Sequence, residues 1–391
     1  MRKKNKIIIL LLILSCLSCL NKKKDNNNIG NSPDKDKIEK NTINNKNDKK
    51  PLENKEKQKV NKIGENNNQV KNSYPINRNI VSQAIQVKPV IFSKRSSTIV
   101  YNKYLIQIET WTDTLFHVFK LPHCKHIGGF GRKGRGPKEF SAHDAYSAET
   151  YKNGIIINDA QKGFVFIDLK NFESNKKMNI EKKIELPGEL MLLNDSFFLN
   201  DSTIIGSQVS QGKERFKYKY VKYNIHSNKI NYFGQYPEYY SFVRKKLFPF
   251  IYVSHSAVKP DEKKFASFCN QVKMFMIYNS NCTIEKKILL EKQKDFFDGK
   301  WITKNPIKYY TCVRATNEYL FVLCHNEHTQ NLPNNKPTLE IWDWNGNPIA
   351  YLKLDQPICS FDVTDDNSKI YATSFNDMDK IFLYKIRKYI N

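Results

Sequence analysis

This 391-residue sequence lacks several features that are common in enzymes and in membrane proteins. It has no run of about 20 apolar residues, so no segment is long enough to cross a membrane as a helix. The six cysteines after residue 19 form no C-x-x-C pair, which argues against a zinc or redox motif. No G-x-S-x-G nucleophile elbow is present. Helix-length apolar patterns are also few, so these absences favour a β-rich protein without a known catalytic motif.

The first 19 residues have the pattern of a bacterial signal peptide. Four basic residues within the first six positions precede an almost wholly apolar segment, Ile7 to Ser15. The leader ends in I-L-S-C and then C-L-S-C, which resemble the lipobox of bacterial lipoproteins. That resemblance implies cleavage before a lipid-bearing cysteine, either Cys16, which fits the motif better, or Cys19, which leaves a longer apolar core. The alternative is an ordinary secretory leader whose cysteines are incidental.

Residues 20–78 consist mainly of Asn, Lys, Asp, Glu and Gln and contain almost no aromatic residues. Such a segment cannot bury enough apolar surface to offset its chain entropy, so we expect it to be disordered. After a lipid anchor it would act as a tether that holds a folded domain away from the membrane.

The net charge of +25 raises the question of nucleic-acid binding. Residues 1–79 carry 19 Lys and Arg against 8 Asp and Glu, a net +11, which leaves +14 for the rest of the chain. There the basic residues are interspersed with acids and with Asn, a composition that an AT-rich genome produces. An exported protein also has little access to nucleic acid. We therefore expect no nucleic-acid partner, whereas contact with anionic lipid or polysaccharide stays open.

Residues 79–391 contain a repeat of about 50 residues. Short apolar strands begin at Tyr104, Gly154, Thr203, Lys264, Tyr319 and Lys369, and successive starts lie 50, 49, 61, 55 and 50 residues apart. Each strand is followed by a polar turn and a second strand. Single units of this size cannot bury both faces, whereas packing around a ring buries them against neighbours.

The repeat predicts an all-β fold, a six-bladed β-propeller of four-stranded antiparallel blades. The apolar segment that starts at Ile80 is expected to complete the last blade and close the ring. A segment from Tyr239 to Phe250 has a helical pattern and is interpreted as an insertion. The alternative fold is a two-sheet sandwich or barrel, which the regular step disfavours.

The stretch GGFGRKGRGPKEF, from Gly128 to Phe140, contains glycines at the spacing G-x-G-x-x-G. A dinucleotide-binding loop would need a helix after the third glycine, and residues 138–154 show no amphipathic helix of useful length. One short loop is also too little for an RGG-type nucleic-acid tract. We interpret it as a structural loop between blades 1 and 2, formed by Gly131, Gly134, Gly136, Pro137, Glu139 and Phe140. We expect Glu139 to pair with a nearby arginine or to accept backbone amides, and Phe140 to pack under the next blade.

Two segments resemble a known family. FGRKGRGPKEF followed by GIIINDAQKGFVFIDL, together with the closing region that begins LEIWDWNGNPIAYLKL, looks like the TolB-like or NHL-like six-bladed propeller lipoproteins of Bacteroidetes. That family has a G-x-G-x-G-P-G-E-F loop before a strand–Asp–strand unit, and Lys138 here replaces the usual Gly. The resemblance covers roughly residues 90–391 and implies the fold and an envelope location. It carries over no catalytic residues.

Candidate metal ligands are few. Asp159, with Asn158 and Asn270, could supply oxygen ligands to a divalent metal in a propeller channel. The simpler interpretation is that Asp159 accepts backbone amides in its own turn. Two histidine pairs have a spacing of three residues, but both stand in polar stretches predicted to be turns, which favours surface histidines over metal ligands. These pairs are His123 with His126 and His325 with His328.

The four tryptophans could stack on sugars if they are exposed. Trp111 and Trp301 are candidates. Trp342 and Trp344 alternate on one predicted strand and so share a face, and at least one face of that strand is expected to belong to the core.

Three hypotheses for function remain open. The first is a lipid-anchored, monomeric propeller of the cell envelope that binds a protein, peptide or glycan at its channel mouth, without a cofactor. The second is a metal-dependent lactonase or lyase that uses channel carboxylates. The third is a scaffold that contacts an envelope complex through a blade face.

Overall fold

The computed structural model describes residues 61–62, 73–88, 90–93, 96–141, 143–170, 172–175, 179–191, 193–207, 213–237, 244–291, 297–298, 301–302 and 305–390. The predicted signal peptide with Cys16 and Cys19, and most of the predicted linker, lie outside the described residues. Residues 59–391 form one compact unit. Within the described part of the chain, no helix is long and apolar enough to span a membrane.

The fold is nearly all β, and three strands precede the first blade: β1 (Asn61–Lys62), β2 (Ile76–Ile80) and β3 (Gln83–Gln86). Blade 1 contains β4 (Ser97–Tyr101), β5 (Tyr104–Ile108), β6 (Phe116–Lys120) and β7 (Lys125–Phe130), and is followed by β8 (Arg132–Lys133) and β9 (Glu139–Phe140). Blade 2 contains β10 (His143–Tyr151), β11 (Gly154–Asp159), β12 (Gly163–Asp168) and β13 (Asn179–Ile184). Blade 3 contains β14 (Asn194–Asn200), β15 (Thr203–Ser207), β16 (Tyr218–Asn224) and β17 (Lys229–Gln235).

The second half of the ring has the same order. Blade 4 contains β18 (Ser254–Val258), β19 (Lys264–Cys269), β20 (Lys273–Asn279) and β21 (Ile284–Glu291), and is followed by β22 (Phe297–Asp298) and β23 (Trp301–Ile302). Blade 5 contains β24 (Ile307–Ala315), β25 (Tyr319–His328), β26 (Thr338–Asp343) and β27 (Pro348–Leu354). Blade 6 contains β28 (Ile358–Val363), β29 (Lys369–Ser374) and β30 (Lys380–Lys385), with β3 as its fourth strand.

Helical structure is confined to short turns in the described residues. Two are single α-helical turns, α1 (Phe172–Asn175) and α2 (Phe248–Ile251). The 3-10 turns are Gly188–Leu190, Glu214–Phe216, Lys245–Leu247, Thr329–Asn334 and Arg387–Tyr389. The predicted helical insertion around Tyr239–Phe250 therefore corresponds to two short turns at its C-terminal end, and residues 238–243 lie outside the described residues.

The predicted fold class is confirmed, as six four-stranded antiparallel blades form a ring. The strands found from the repeat are the second and third strands of each blade. The second strands β5 and β11 are fully buried on both faces, because neighbouring blades cover them. This burial explains why these strands appear in the sequence as continuous apolar runs rather than alternating ones.

The ring is closed by its two ends, as the sequence predicts. Strand β3 pairs antiparallel with β30, so Ile85 lies opposite Ile381. The chain that follows β3 adds Val87, Val90 and Phe92 to a buried cluster between blades 6 and 1. Closure therefore makes the first and last blades interdependent.

The folded region begins several residues before the boundary expected at residue 79. Strand β2 pairs in parallel with β27 at the outer edge of blade 5, and β1 pairs in parallel with β21 at the edge of blade 4. Tyr74 is buried, with its ring 5.2 Å from that of Trp342. The polar composition of the segment conceals these pairings, since strand addition to an edge needs backbone groups rather than apolar side chains.

Candidate functional site

The first strand of each blade lines a central channel. These inner strands, β4, β10, β14, β18, β24 and β28, contact one another in ring order. They enclose a cavity of about 440 Å³, which all six of them line. Its wall continues to the turns after the inner strands of blades 2, 3 and 4, where Lys152, Asp201 and Lys259 stand. The channel therefore contains a polar pocket of the size that small ligands occupy.

Three acidic side chains of the channel wall accept backbone N–H groups from the next blade. Glu149 accepts from Phe198 at 2.8 Å, Asp195 from Ser256 at 2.7 Å and Asp362 from Val100 at 2.7 Å. The inner edge of a blade has no neighbouring strand in a ladder, so its N–H groups need other acceptors. The carboxylates supply them and join blades 2 to 3, 3 to 4 and 6 to 1.

Asp195 is the most heavily bonded of these acids. Its carboxylate also accepts the hydroxyls of Ser254 and Ser256, at 3.0 and 2.6 Å. The backbone of Asp195 is left-handed, with φ of 47°, at a break in the register between β14 and β15. This unusual conformation directs the side chain across to blade 4, and Asp tolerates it better than most residues.

Arg314 is the cation among these groups. Its Nε lies 3.5 Å from an oxygen of Asp362, and its Nη2 donates to Ser97 Oγ and Thr98 O at 3.2 and 3.0 Å. One side chain of blade 5 thereby reaches blades 6 and 1. The side chain is 16% exposed and lines the cavity, so part of it remains accessible from there.

Burial sets the protonation of the acids. It raises the pKa of Glu149 to about 8, although the Phe198 N–H and Arg314 act in the opposite direction. Burial likewise raises the pKa of Asp195 and of Asp362 to about 6, against their hydrogen bonds and nearby cations. Glu149 is therefore largely protonated at neutral pH and can donate a hydrogen bond into the cavity.

Replacing Glu149 with Gln should change how stability depends on pH. The pKa of Glu149 is higher in the folded than in the unfolded chain, so between about pH 4.5 and 8 the folded state binds one more proton. The free energy of unfolding of the wild type should thus fall as pH rises through that interval, and Glu149→Gln should remove this part of the fall. Urea unfolding at pH 5 and pH 8 measures the difference, with exposed Glu189→Gln as the control. An equal effect of both variants at both pH values would contradict the assignment.

The metal ligands considered from the sequence do not converge. Asp159 accepts from Ser141 N and Oγ and from Gln161 N, at 2.7 to 3.0 Å. Asn158 donates to Ser196, and Asn270 donates to Tyr310 O in a different blade. The described residues include no group of three or more His, Cys, Asp and Glu placed to hold a metal ion. The hypothesis that these three residues form a metal site is therefore unsupported by their geometry.

The second histidine pair is not in a turn, contrary to our expectation. His325 and His328 belong to strand β25, where residues three apart point to opposite faces. His325 is buried, and burial lowers its pKa to about 4 despite a contact with Asn335. The two histidines of the first pair lie in different kinds of structure, because His123 is in a turn and His126 is in strand β7.

The tryptophans separate into core and surface residues. Trp342 and Trp344 belong to one buried cluster, as their spacing predicts. Trp111 is 59% exposed, with Lys133 Nζ 4.9 Å from its ring centre. The side chain of Trp301 lies outside the described residues.

The glycine-rich loop lies between β7 and β10 and is tightly bonded. Glu139 accepts the Gly136 N–H at 2.8 Å, one of the two partners expected for it. A Cβ at Gly134 would lie 2.0 Å from the Glu139 carboxylate, and Gly131 has φ of 74° against the Phe116 ring. Phe140 is buried beside Phe116. Lys183 donates to Pro137 O at 2.9 Å.

Sequence reasoning misses the four channel residues Glu149, Asp195, Arg314 and Asp362. The repeat is visible in the second and third strands, whereas the inner strands are irregular. The register between β10 and β11 shifts between Asp144 and Glu149, which breaks the period of two. The one available signal is position, since each residue stands shortly before a second strand of the repeat.

Comparison with known proteins identifies relatives of the fold. A family profile described as TolB-like 6-blade propeller-like matches residues 76–366. A crystal structure of a DUF4221 family member from Bacteroides vulgatus is similar with a TM-score of 0.51 and 11% identity, over 78% of this chain and 95% of that one. A protein from Bacteroides fragilis that is inferred to be exported gives a TM-score of 0.49 and 12% identity, over 79% and 98%. No curated protein matches the chain.

Proposed function

Because the chain belongs to the TolB-like six-bladed propeller family, we propose that it is an exported, membrane-anchored binding protein whose central channel takes a polar ligand. The ligand is a protruding part of a protein, peptide or glycan. The observation that carries the proposal is the cavity of about 440 Å³, to which all six inner strands contribute. Ligand sites in ring-shaped folds form where several repeats converge.

The chemistry of the wall favours binding over catalysis. Asp195 and Asp362 each accept two or more hydrogen bonds from within the protein, so these carboxylates are committed to holding blades together. Glu149 has one oxygen in a backbone hydrogen bond and presents a largely protonated carboxyl to the cavity. Together with the accessible part of Arg314, it offers donors to a ligand that is rich in carbonyl or carboxylate oxygens.

A photo-crosslinking amino acid at Tyr146 tests the site in native membranes. Tyr146 lines the cavity and is 42% exposed. Phe250 is equally exposed but is not part of the cavity wall, so the same substitution there is the matched control. We expect a discrete adduct from Tyr146 that is absent from Phe250 and is reduced by Arg314→Gln. Identical adducts from both positions would refute a channel site and leave a blade face as the contact.

The proposed membrane anchor is the lipidated N-terminal cysteine, on the evidence of the two lipobox-like endings. Metabolic labelling with an alkyne fatty acid should mark the full-length protein. One of the two single variants, Cys16→Ala or Cys19→Ala, should lose the label. The variant that loses it identifies the lipidated residue. Absence of label from the wild type would argue for an ordinary secretory leader, and label that persists in the double variant would place the lipid on another residue.

A further inference from the structure

Exposed apolar and basic side chains are found together at one end of blade 1. We propose that this surface docks on an anionic lipid bilayer. It consists of the exposed side chains Ile91, Trp111, Arg132, Lys133, Arg135 and Lys138, which we call the blade 1 rim. The proposal concerns a different surface from the channel and does not depend on what the channel binds.

Three chain connections form the rim. Ile91 precedes β4, Trp111 lies between β5 and β6, and the basic residues follow β7. The Ser93 N–H donates to Glu109 Oε2 at 2.7 Å, which joins the first two connections. The Leu115 N–H donates to Gly131 O at 3.1 Å, which joins the second to the third. Hydrogen bonds therefore hold the three connections together at the same end of blade 1.

The rim lies at the end of the propeller opposite to the turns that follow the inner strands. The inner strand of each blade starts at the rim end and finishes at the turn that leads to the second strand. The cavity wall includes those turns, at Lys152 and Lys259. A bilayer at the rim would therefore leave these turns of the cavity wall facing away from the membrane.

The exposed charge of the rim is mainly positive. Within the described residues, none of its four cations is in an ion pair, and Lys133 instead lies over the Trp111 ring. Of the nearby acids, Glu109 is buried and Glu139 is turned onto the Gly136 amide, which leaves exposed Asp113. Two further lysines donate to carbonyl groups of the glycine-rich loop, Lys162 to Gly136 O at 2.6 Å and Lys183 to Pro137 O at 2.9 Å. A net positive surface remains to meet an anionic partner.

The apolar residues favour a bilayer over a soluble polyanion. Ile91 is 65% and Trp111 59% exposed, an arrangement that costs free energy in water. A carbohydrate could stack on Trp111, but contact with an exposed aliphatic side chain such as Ile91 would add little to its binding. In a bilayer interface both side chains enter the headgroup region while Lys and Arg contact lipid phosphates. The combination therefore matches the chemistry of an anionic membrane surface.

Vesicle binding tests the proposal with the chain from residue 20 onward, which has neither leader nor lipid and retains the compact unit of residues 59–391. Vesicles contain phosphatidylcholine with or without phosphatidylglycerol. We expect binding only with phosphatidylglycerol, and weaker binding at higher salt. Changing the four rim cations to Gln should reduce the affinity at least about 100-fold, because each contributes about fivefold near an anionic surface. Changing Ile91 and Trp111 to Ser should weaken binding several-fold but leave its salt dependence unchanged.

The control variant carries Gln at Lys229, Lys353, Lys385 and Lys388, which are exposed on blades 3, 5 and 6 and change the net charge equally. It should bind like the wild type. An equal loss of vesicle affinity in the control and rim variants would mean that only the net charge of the protein matters, and it would overturn the proposal. So would binding to soluble polygalacturonate with no binding to vesicles, which would assign the rim to an anionic polysaccharide. Unchanged thermal unfolding of each variant shows that folding is intact.

Discussion

Replacing Lys273 with Met should lower the free energy of unfolding by about 3–5 kcal/mol. Lys273 and Glu340 form a buried ion pair between blades 4 and 5, with 3.5 Å between Nζ and Oε1 and side-chain exposures of 5% and 0%. The other oxygen of Glu340 accepts the hydroxyls of Tyr74 and Tyr310, at 3.0 and 3.1 Å. Burial, the largest single effect, disfavours the ammonium, but Glu340 together with smaller contributions from neighbouring groups raises the pKa of Lys273. The variant would leave the Glu340 carboxylate buried without its cation.

Urea unfolding monitored by tryptophan fluorescence measures the loss. Lys264→Met is the matched control, because Lys264 forms a 2.8 Å pair with Glu285 in the same blade but at the surface. That pair should contribute less than about 1 kcal/mol. The double variant Lys273→Met, Glu340→Gln should recover part of the loss, since it removes the unpaired charge. Similar small effects of both single variants would mean that burial of the Lys273 pair does not matter to stability.

Replacing Gly163 with Ala should destabilise the fold by roughly 3 kcal/mol. Gly163 has φ of 73°, which costs an L-residue about 1–2 kcal/mol. An added Cβ would also lie 2.1 Å from Ile184 O, a backbone atom of the neighbouring strand β13. Backbone cannot move aside as a flexible side chain can, so β12 and β13 must separate and lose about one ladder hydrogen bond.

Gly188→Ala is the control for the loss of a glycine close by, in the connection between blades 2 and 3. A Cβ there meets nothing within 4 Å, and Gly188 begins a 3-10 turn. Alanine at such a position should raise stability by about 0.4–1 kcal/mol, because it restricts the unfolded chain. Thermal and urea unfolding of both variants give the comparison. A Gly163→Ala protein as stable as the wild type would show that β13 tolerates displacement.

Much of the architecture is predictable from local sequence signals. The second strands occur at a step of about 50 residues, and strands such as β11 and β19 begin where the apolar runs begin. Closure is also predictable, since an unused apolar strand before the first unit has to pair with the last blade. The early start of the fold at Tyr74 cannot be predicted in this way, because Tyr74 donates to Glu340, 266 residues away, and the following strand β2 pairs with a similarly distant part of the chain in β27.

The candidate site, unlike the architecture, cannot be predicted from local sequence signals. Each channel acid bonds to a backbone N–H that is 49 to 262 residues away in sequence, so no local pattern encodes the contact. Asp159 illustrates the difference, because its acceptor role in a turn with Gln161 follows from its local sequence.

The sequence alone determines the number of blades, their order, the closing strand and the signal peptide pattern, because these depend on periodicity and composition. Only the tertiary structure decides which side chains face the channel, which carboxyl is protonated and which cations lack acidic partners. These properties arise when distant inner strands meet around one axis, and they depend on burial and distance rather than on residue type.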